Sequence, residues 1–78
     1  MVEDWRERIV VDYKILGGKP IVRGSRVPVE AIVERIAEGM GIKEVLEDYP
    51  NLGEDDVKAA LKYAATIISD EEIIPVIE

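Results

Sequence analysis

Seventy-eight residues, 17 of them acidic and 10 basic for a formal charge of −7, leave room for one domain and one modest core. With neither cysteine nor histidine, the chain has no disulfide framework, no thiolate or imidazole metal ligand and no histidine base. No apolar run approaches the roughly 18 residues of a membrane span, and Met1-Val-Glu-Asp-Trp-Arg6 lacks the basic end and apolar centre of a signal peptide; a soluble, cytoplasmic protein is expected.

In chain order, Ile9-Val-Val-Asp-Tyr13 reads as a short strand, followed by the breaker Gly17-Gly18. Two β-prone runs then flank Gly24-Ser25, which fits a tight hairpin with Gly24 at the first turn position, and Pro20 and Pro28 forbid a long ladder. After Pro28 the period changes. Val29, Ile32, Val33, Ile36, Ala37 and Met40 form a helical stripe, with Pro28 suited to its start and Gly39 to its exit. A second stripe, Ile42, Val45, Leu46 and Tyr49, predicts a short helix stopped by Pro50-Asn51. A third, Val57, Ala60, Leu61, Ala64 and Ile68, opens at Gly53-Glu-Asp-Asp56. The expectation is a single α+β domain: a β element over 9–29, a three-helix bundle with helix-turn-helix character over 29–68, and an extended tail over 69–78.

The charge is segregated. Between Tyr13 and Arg26 the only charged residues are Lys14, Lys19, Arg23 and Arg26, whereas 27–78 sums to −9. Duplex nucleic acid is attracted to the first region and repelled by the second. Lys14, Lys19, Arg23 and Arg26 are therefore candidate DNA contacts, most simply as a two-stranded ribbon from a dimer, and Lys58 and Lys62 are candidate phosphate contacts. The competing readings are structural: Arg26 pairs with a carboxylate of the first helix, and Glu54 with Lys58 as an exposed i, i+4 pair. Pro50-Asn-Leu-Gly53 has the length of a helix-turn-helix link, yet the turn that would meet base edges carries Glu54, Asp55 and Asp56, the wrong sign for phosphates. Those carboxylates instead suit the positive end of the helix dipole.

No catalytic site is expected. Glu30, Glu34 and Glu38 mimic a metal-binding face but read as a solvated stripe, and Gly18-x5-Gly24-Ser25 lacks the Gly-Lys-Ser/Thr ending of a phosphate loop. No cofactor and no metal are anticipated. Trp5, Tyr13, Tyr49 and Tyr63 are too scattered for a stacking platform and suit core edges or interfaces. The absence of Gln, the single Asn51 and the abundance of Ile, Val and Glu lean toward a heat-adapted source, and the small core favours a homodimer.

Taken together, Gly18-Lys-Pro-x-x-x-Gly-Ser-Arg-x-Pro-Val29, Gly39, Asp48-Tyr-Pro-x-Leu52 and Asp56-Val-x-Ala-Ala-Leu-x-Tyr-Ala64 closely resemble the domain-of-unknown-function family 433, over roughly residues 9 to 68. The resemblance implies a homeodomain-like three-helix domain preceded by short strands. It also implies an antitoxin-like partner of a PIN-like ribonuclease toxin and no enzymatic activity; operator DNA as a second partner rests on the basic residues between Lys14 and Arg26. Two positions depart from the family pattern: Ser25 stands where Thr is usual, and Gly53 where a capping Ser or Thr is usual.

The C-terminal stretch Ser69-Asp-Glu-Glu-Ile-Ile-Pro-Val-Ile-Glu78 offers Ile73, Ile74, Val76 and Ile77 as candidate partner-binding residues, as a neutralising tail added to a partner's sheet edge. The competing reading pairs this tail with Ile9–Tyr13 of the same chain or of a dimer mate. A rival function of another class is a dimeric protein-binding adaptor with no DNA contact.

Overall fold

The computed structural model describes residues 4–70. It begins with a 3-10 turn, Trp5–Arg8, capped by the Asp4 side chain, which accepts a hydrogen bond from the Arg6 N–H at 2.9 Å. Strands β1 (Ile9–Val11) and β2 (Pro20–Val22) pair antiparallel, with Ile9 opposite Val22 and Val11 opposite Pro20. Helices α1 (Val29–Ala37), α2 (Ile42–Asp48) and α3 (Glu54–Asp70) follow. The α+β architecture, short strands leading into three helices, agrees with the sequence reading.

The strand pairing differs from expectation in one respect. The partner of Pro20–Val22 is Ile9–Val11, not the run after Gly24-Ser25, which contributes a single bridge between Ile21 and Pro28 and a hydrogen bond from Val22 N–H to the Val27 carbonyl at 3.0 Å. Pro28 has no N–H to donate, so that second pairing stops after one rung. Gly24 has φ +77, but it is the third residue of a turn closed from Ser25 N–H to the Val22 carbonyl, not the first turn position. Ser25 locks this loop: its Oγ donates to the Val22 carbonyl at 2.7 Å and accepts from Val27 N–H at 3.0 Å.

The long connection between the strands contains an unusual turn. Leu16, Gly17 and Gly18 all have positive φ, at 50°, 66° and 86°. Two glycines make such a left-handed run tolerable, and Leu16 carries the steric cost. Gly18 is further required because a Cβ there would lie 2.6 Å from the ring of Tyr13. Tyr13, read as a core-edge or interface residue, is 85% exposed and so is not at a core edge.

The helices start and stop for identifiable reasons. α1 ends in a Schellman arrangement, with Met40 N–H to the Arg35 carbonyl at 3.1 Å, Gly39 N–H to the Ile36 carbonyl at 3.0 Å, and Gly39 at φ +100. α2 and α3 open alike: Glu44 Oε1 accepts from Gly41 N–H at 3.3 Å, and Asp56 Oδ2 accepts from Gly53 N–H at 2.8 Å. Glycine at both N-caps supplies no side chain, and the acidic residue three positions on reaches back instead. This compensates for the missing Ser or Thr at Gly53. α3 runs two residues beyond the expected boundary, so Ser69 and Asp70 are helical; the candidates Ile73, Ile74, Val76 and Ile77 lie outside the described residues.

The core gathers Val22, Val27, Val29, Ile32, Val45, Leu52, Val57 and Ala60, with Ile36, Met40, Leu46 and Leu61 packed against it. Two members of the apolar stripes are not inside: Ala37 is exposed, and Ile68 is 60% exposed. α3 packs against α1 and α2 and also against the Trp5–Arg8 turn, which carries the strand pair.

Candidate functional site

At the edge of the core, apolar residues of α1 and α3 converge on one surface. Val29 and Val33 on one helix, and Tyr63, Ala64, Ile67 and Ile68 on the other, line an open groove of about 350 Å³, with Pro20 against it. Residues i, i+3 and i+4 share a helix face, so 29 and 33, and 63, 64, 67 and 68, fall together. Ala64, with no side chain beyond Cβ, leaves the hollow that its larger neighbours border. Ile67 and Ile68 are 41% and 60% exposed. The charged residues lining the groove are Glu30 and Glu34, one turn apart on α1. Lys19 Nζ pairs with Glu30, and that hydrogen bond raises the Lys19 pKa above its ordinary value of 10.5. Glu34 has no ion pair among the described residues.

The six cations singled out from sequence do not form one patch. Because β1 runs away from Arg8 and β2 returns to Arg23, Lys14 and Lys19 sit at one end of the short ribbon, Arg23 and Arg26 at the other. Lys58 and Lys62 share a face of α3, one turn apart. Two of the six are engaged: Lys19 with Glu30, and Lys58 with Glu54 at 3.0 Å, the i, i+4 pair expected as the alternative; this bond raises the Lys58 pKa. Lys14, Arg23, Arg26 and Lys62 are exposed and make no side-chain ion pair among the described residues. The brace expected between Arg26 and a carboxylate of the first helix does not form; Lys19 occupies Glu30 instead. Arg26 has φ +61, an unfavourable backbone state for a side chain of its size.

The acidic first turn of α3 serves the fold. Asp56 caps Gly53 through Oδ2 and pairs with Arg8 Nη1 through Oδ1 at 2.9 Å, while Asp55 lies 3.8 Å from Arg8 Nη2. The end of α3 that a helix-turn-helix protein would present to base edges is thus tied to the N-terminal turn and remains acidic. α1 and α2 are joined by Arg35, which pairs with Asp48 and donates through Nε to Tyr49 Oη at 3.1 Å. Among the described residues there is no group of acidic side chains placed to hold a metal, and no helix long and apolar enough to cross a membrane.

The sequence reading places Val29, Val33, Ala64 and Ile68 in apolar stripes of the bundle, Tyr63 at a core edge or interface, and Glu30 and Glu34 in a solvated stripe; Ile67 falls in none of these patterns. The available signal was the width of the apolar arc on α3: the consecutive pairs Tyr63-Ala64 and Ile67-Ile68 exceed one stripe.

Known proteins are similar to this chain in fold or in sequence. A crystal structure of a DUF433 member protein from Anabaena variabilis ATCC 29413 superposes with a TM-score of 0.74 at 31% identity, over 80% of this chain and 61% of that one. The uncharacterized protein y4eO of Sinorhizobium fredii is 39% identical over 59 residues, which are 76% of this chain and 27% of that protein. An uncharacterized protein of Archaeoglobus fulgidus is 56% identical over 27 residues, 35% of this chain and 75% of that protein. This chain therefore spans about a quarter of y4eO and three-fifths of the Anabaena chain. With residues 9–64 matching the family described as Protein of unknown function (DUF433), and the fold of a member reproduced over 80% of this chain, the chain belongs to the DUF433 family.

Proposed function

We propose that this chain is a small, non-catalytic, cytoplasmic regulator of antitoxin type, whose main work is to bind a protein partner, a PIN-like ribonuclease, through the α1–α3 groove. The observation that carries this reading is the groove itself: isoleucines 41% and 60% exposed beside an apolar hollow mark an interaction surface more readily than a solvated helix face. The resemblance of the Gly18–Val29 and Asp56–Ala64 motifs to the family supplies the nuclease as partner.

Operator DNA is a second reading, supported by the exposed side chains of Arg23 and Arg26, which make no ion pair among the described residues, on a loop fixed by Ser25. Two such ribbon ends in a homodimer suit phosphate contacts. The acidic start of α3 counts against base reading by that helix, and the adaptor without DNA contact is the outcome if the arginines prove idle.

Co-expression with the product of the neighbouring reading frame, followed by co-purification, tests the main reading: a stable complex is expected, and Ile68→Asp is expected to abolish it while leaving the helical circular dichroism intact. A complex that withstands Ile68→Asp refutes the groove as its seat. For DNA, retardation of the shared upstream region should fall steeply with salt and disappear in Arg23→Ala/Arg26→Ala. Retardation unchanged by the double replacement overturns the ribbon as the DNA contact.

A further inference from the structure

We infer that the α1–α3 groove receives an amphipathic helix carrying Lys or Arg along one side of its apolar face. The inference rests on the reading of the groove as a partner seat and goes on to specify the chemistry of what enters it.

Backbone chemistry selects a helix. Both walls of the groove are helices, whose backbone N–H and C=O groups are consumed internally between their ends. An extended segment laid on this floor would bury its own amide groups without partners, each costing about 1–3 kcal/mol. A helix arrives with those groups already paired. Length agrees as well: the nine residues of α1 span about 13 Å, enough for apolar anchors at i, i+4 and i+7, which span about 10 Å.

Charge selects the cations. Glu30 and Glu34 form one rim, no cation among the described residues lines the groove, and the single Lys19 bonds Glu30 and acts on Glu34 only through weaker Coulomb attraction. The opposite rim, Tyr63, Ala64, Ile67 and Ile68, carries no formal charge. A partner helix with its basic residues on the α1 side gains a direct pair with Glu34, which has none among the described residues, and an acidic one is repelled. The same chemistry disfavours a second copy of this chain, because a two-fold pairing of grooves sets each Glu30–Glu34 rim against either its equivalent or the uncharged α3 rim and never against a cation of the groove. A homodimer would use another face.

The test uses the full chain and a fluorescein-labelled 14-residue Leu/Lys peptide of amphipathic helical pattern, read by fluorescence anisotropy, beside a Leu/Glu peptide of the same pattern. Saturable binding of the Leu/Lys peptide alone is expected. Glu34→Lys and Ile67→Asn should each weaken it about tenfold or more, whereas Glu47→Lys, the same charge change on α2 outside the groove, should change it less than about twofold. Circular dichroism of each variant checks folding, and Glu34→Lys, an exposed surface change, keeps the test decisive if Ile67→Asn unfolds. The proposal is overturned if the Leu/Glu peptide binds equally well, if Glu47→Lys weakens binding as much as Glu34→Lys, or if neither groove variant has an effect. It is also overturned if the groove proves occupied by the chain itself: binding that appears only after removal of residues 71–78, or a wild-type dimer that Ile67→Asn dissolves. Loss of peptide binding with continued co-purification of the neighbouring protein would sink this inference and leave the partner reading in place.

Discussion

The link between Arg8 and Asp56 should be a sensitive polar contact of the described fold, because one carboxylate does two jobs. Asp56→Ala removes the back-bond to Gly53 N–H at 2.8 Å and the ion pair to Arg8 Nη1 at 2.9 Å. The cap is worth about 1 kcal/mol. The ion pair is shielded, with side-chain exposures of 27% for Arg8 and 17% for Asp56, and so belongs near the upper end of the range for surface pairs, about 1 kcal/mol. A loss of about 2 kcal/mol in a domain of this size lowers the melting temperature by about 8–16 °C. Asp56→Asn keeps an acceptor for Gly53 and loses only the charge, so about half that drop is expected. Circular dichroism melts of both variants, together with an Arg8→Ala/Asp56→Ala double-mutant cycle, separate the contributions; the cycle should return a coupling of about 1 kcal/mol or somewhat less, since Asp55 takes up part of the lost pairing from 3.8 Å. A coupling near zero, or an Asp56→Ala melt within about 2 °C of wild type, would refute the claim that this acidic turn is retained for the fold.

Gly39→Ala meets no steric neighbour, so its cost is purely that of a left-handed backbone at φ +100, about 1–2 kcal/mol by thermal or urea melt; a neutral effect would refute the Schellman account of the end of α1. Gly18→Ala adds to a similar conformational cost a clash with the Tyr13 ring at 2.6 Å. Because Tyr13 is exposed, placing Gly18→Ala in a Tyr13→Ala background should recover the clash and leave the backbone cost, whereas equal losses in both backgrounds would mean that the ring simply swings aside. Stability should be nearly flat from about pH 7 to 9, since the chain has no His or Cys to titrate there. Lys19 and Lys58 have pKa values raised by bonds to Glu30 and Glu54, so their contribution is whole below the ordinary value of 10.5 and fades as pH rises through the raised one. A melting temperature that steps between pH 7 and 9 would contradict this.

What sequence could and could not convey follows from the range of the forces involved. The three helices were legible because their determinants are local: a stripe of period 3.6, Pro28 ahead of α1, Gly39 in the left-handed cap and Pro50 after α2. The strand pairing was not legible, because Val22 faces two apolar runs and the choice between Ile9–Val11 and the run ending at Pro28 depends on which backbone can donate more than one rung. Asp56 could be read as favourable to the helix dipole, yet its bond to Arg8 spans 48 positions, and nothing in the spacing announces it. The groove failed to appear for a related reason. Periodicity identifies which face of α3 is apolar but not how far its neighbours reach: α3 has 17 residues, about 25 Å, against nine in α1, about 13 Å. The stripe that is core at Val57 and Ala60 continues past the cover, and by Ile67 and Ile68 the same pattern faces solvent. A stripe that outruns its partner helix is what a docking surface looks like in sequence, and only the lengths of the neighbouring helices distinguish it from core.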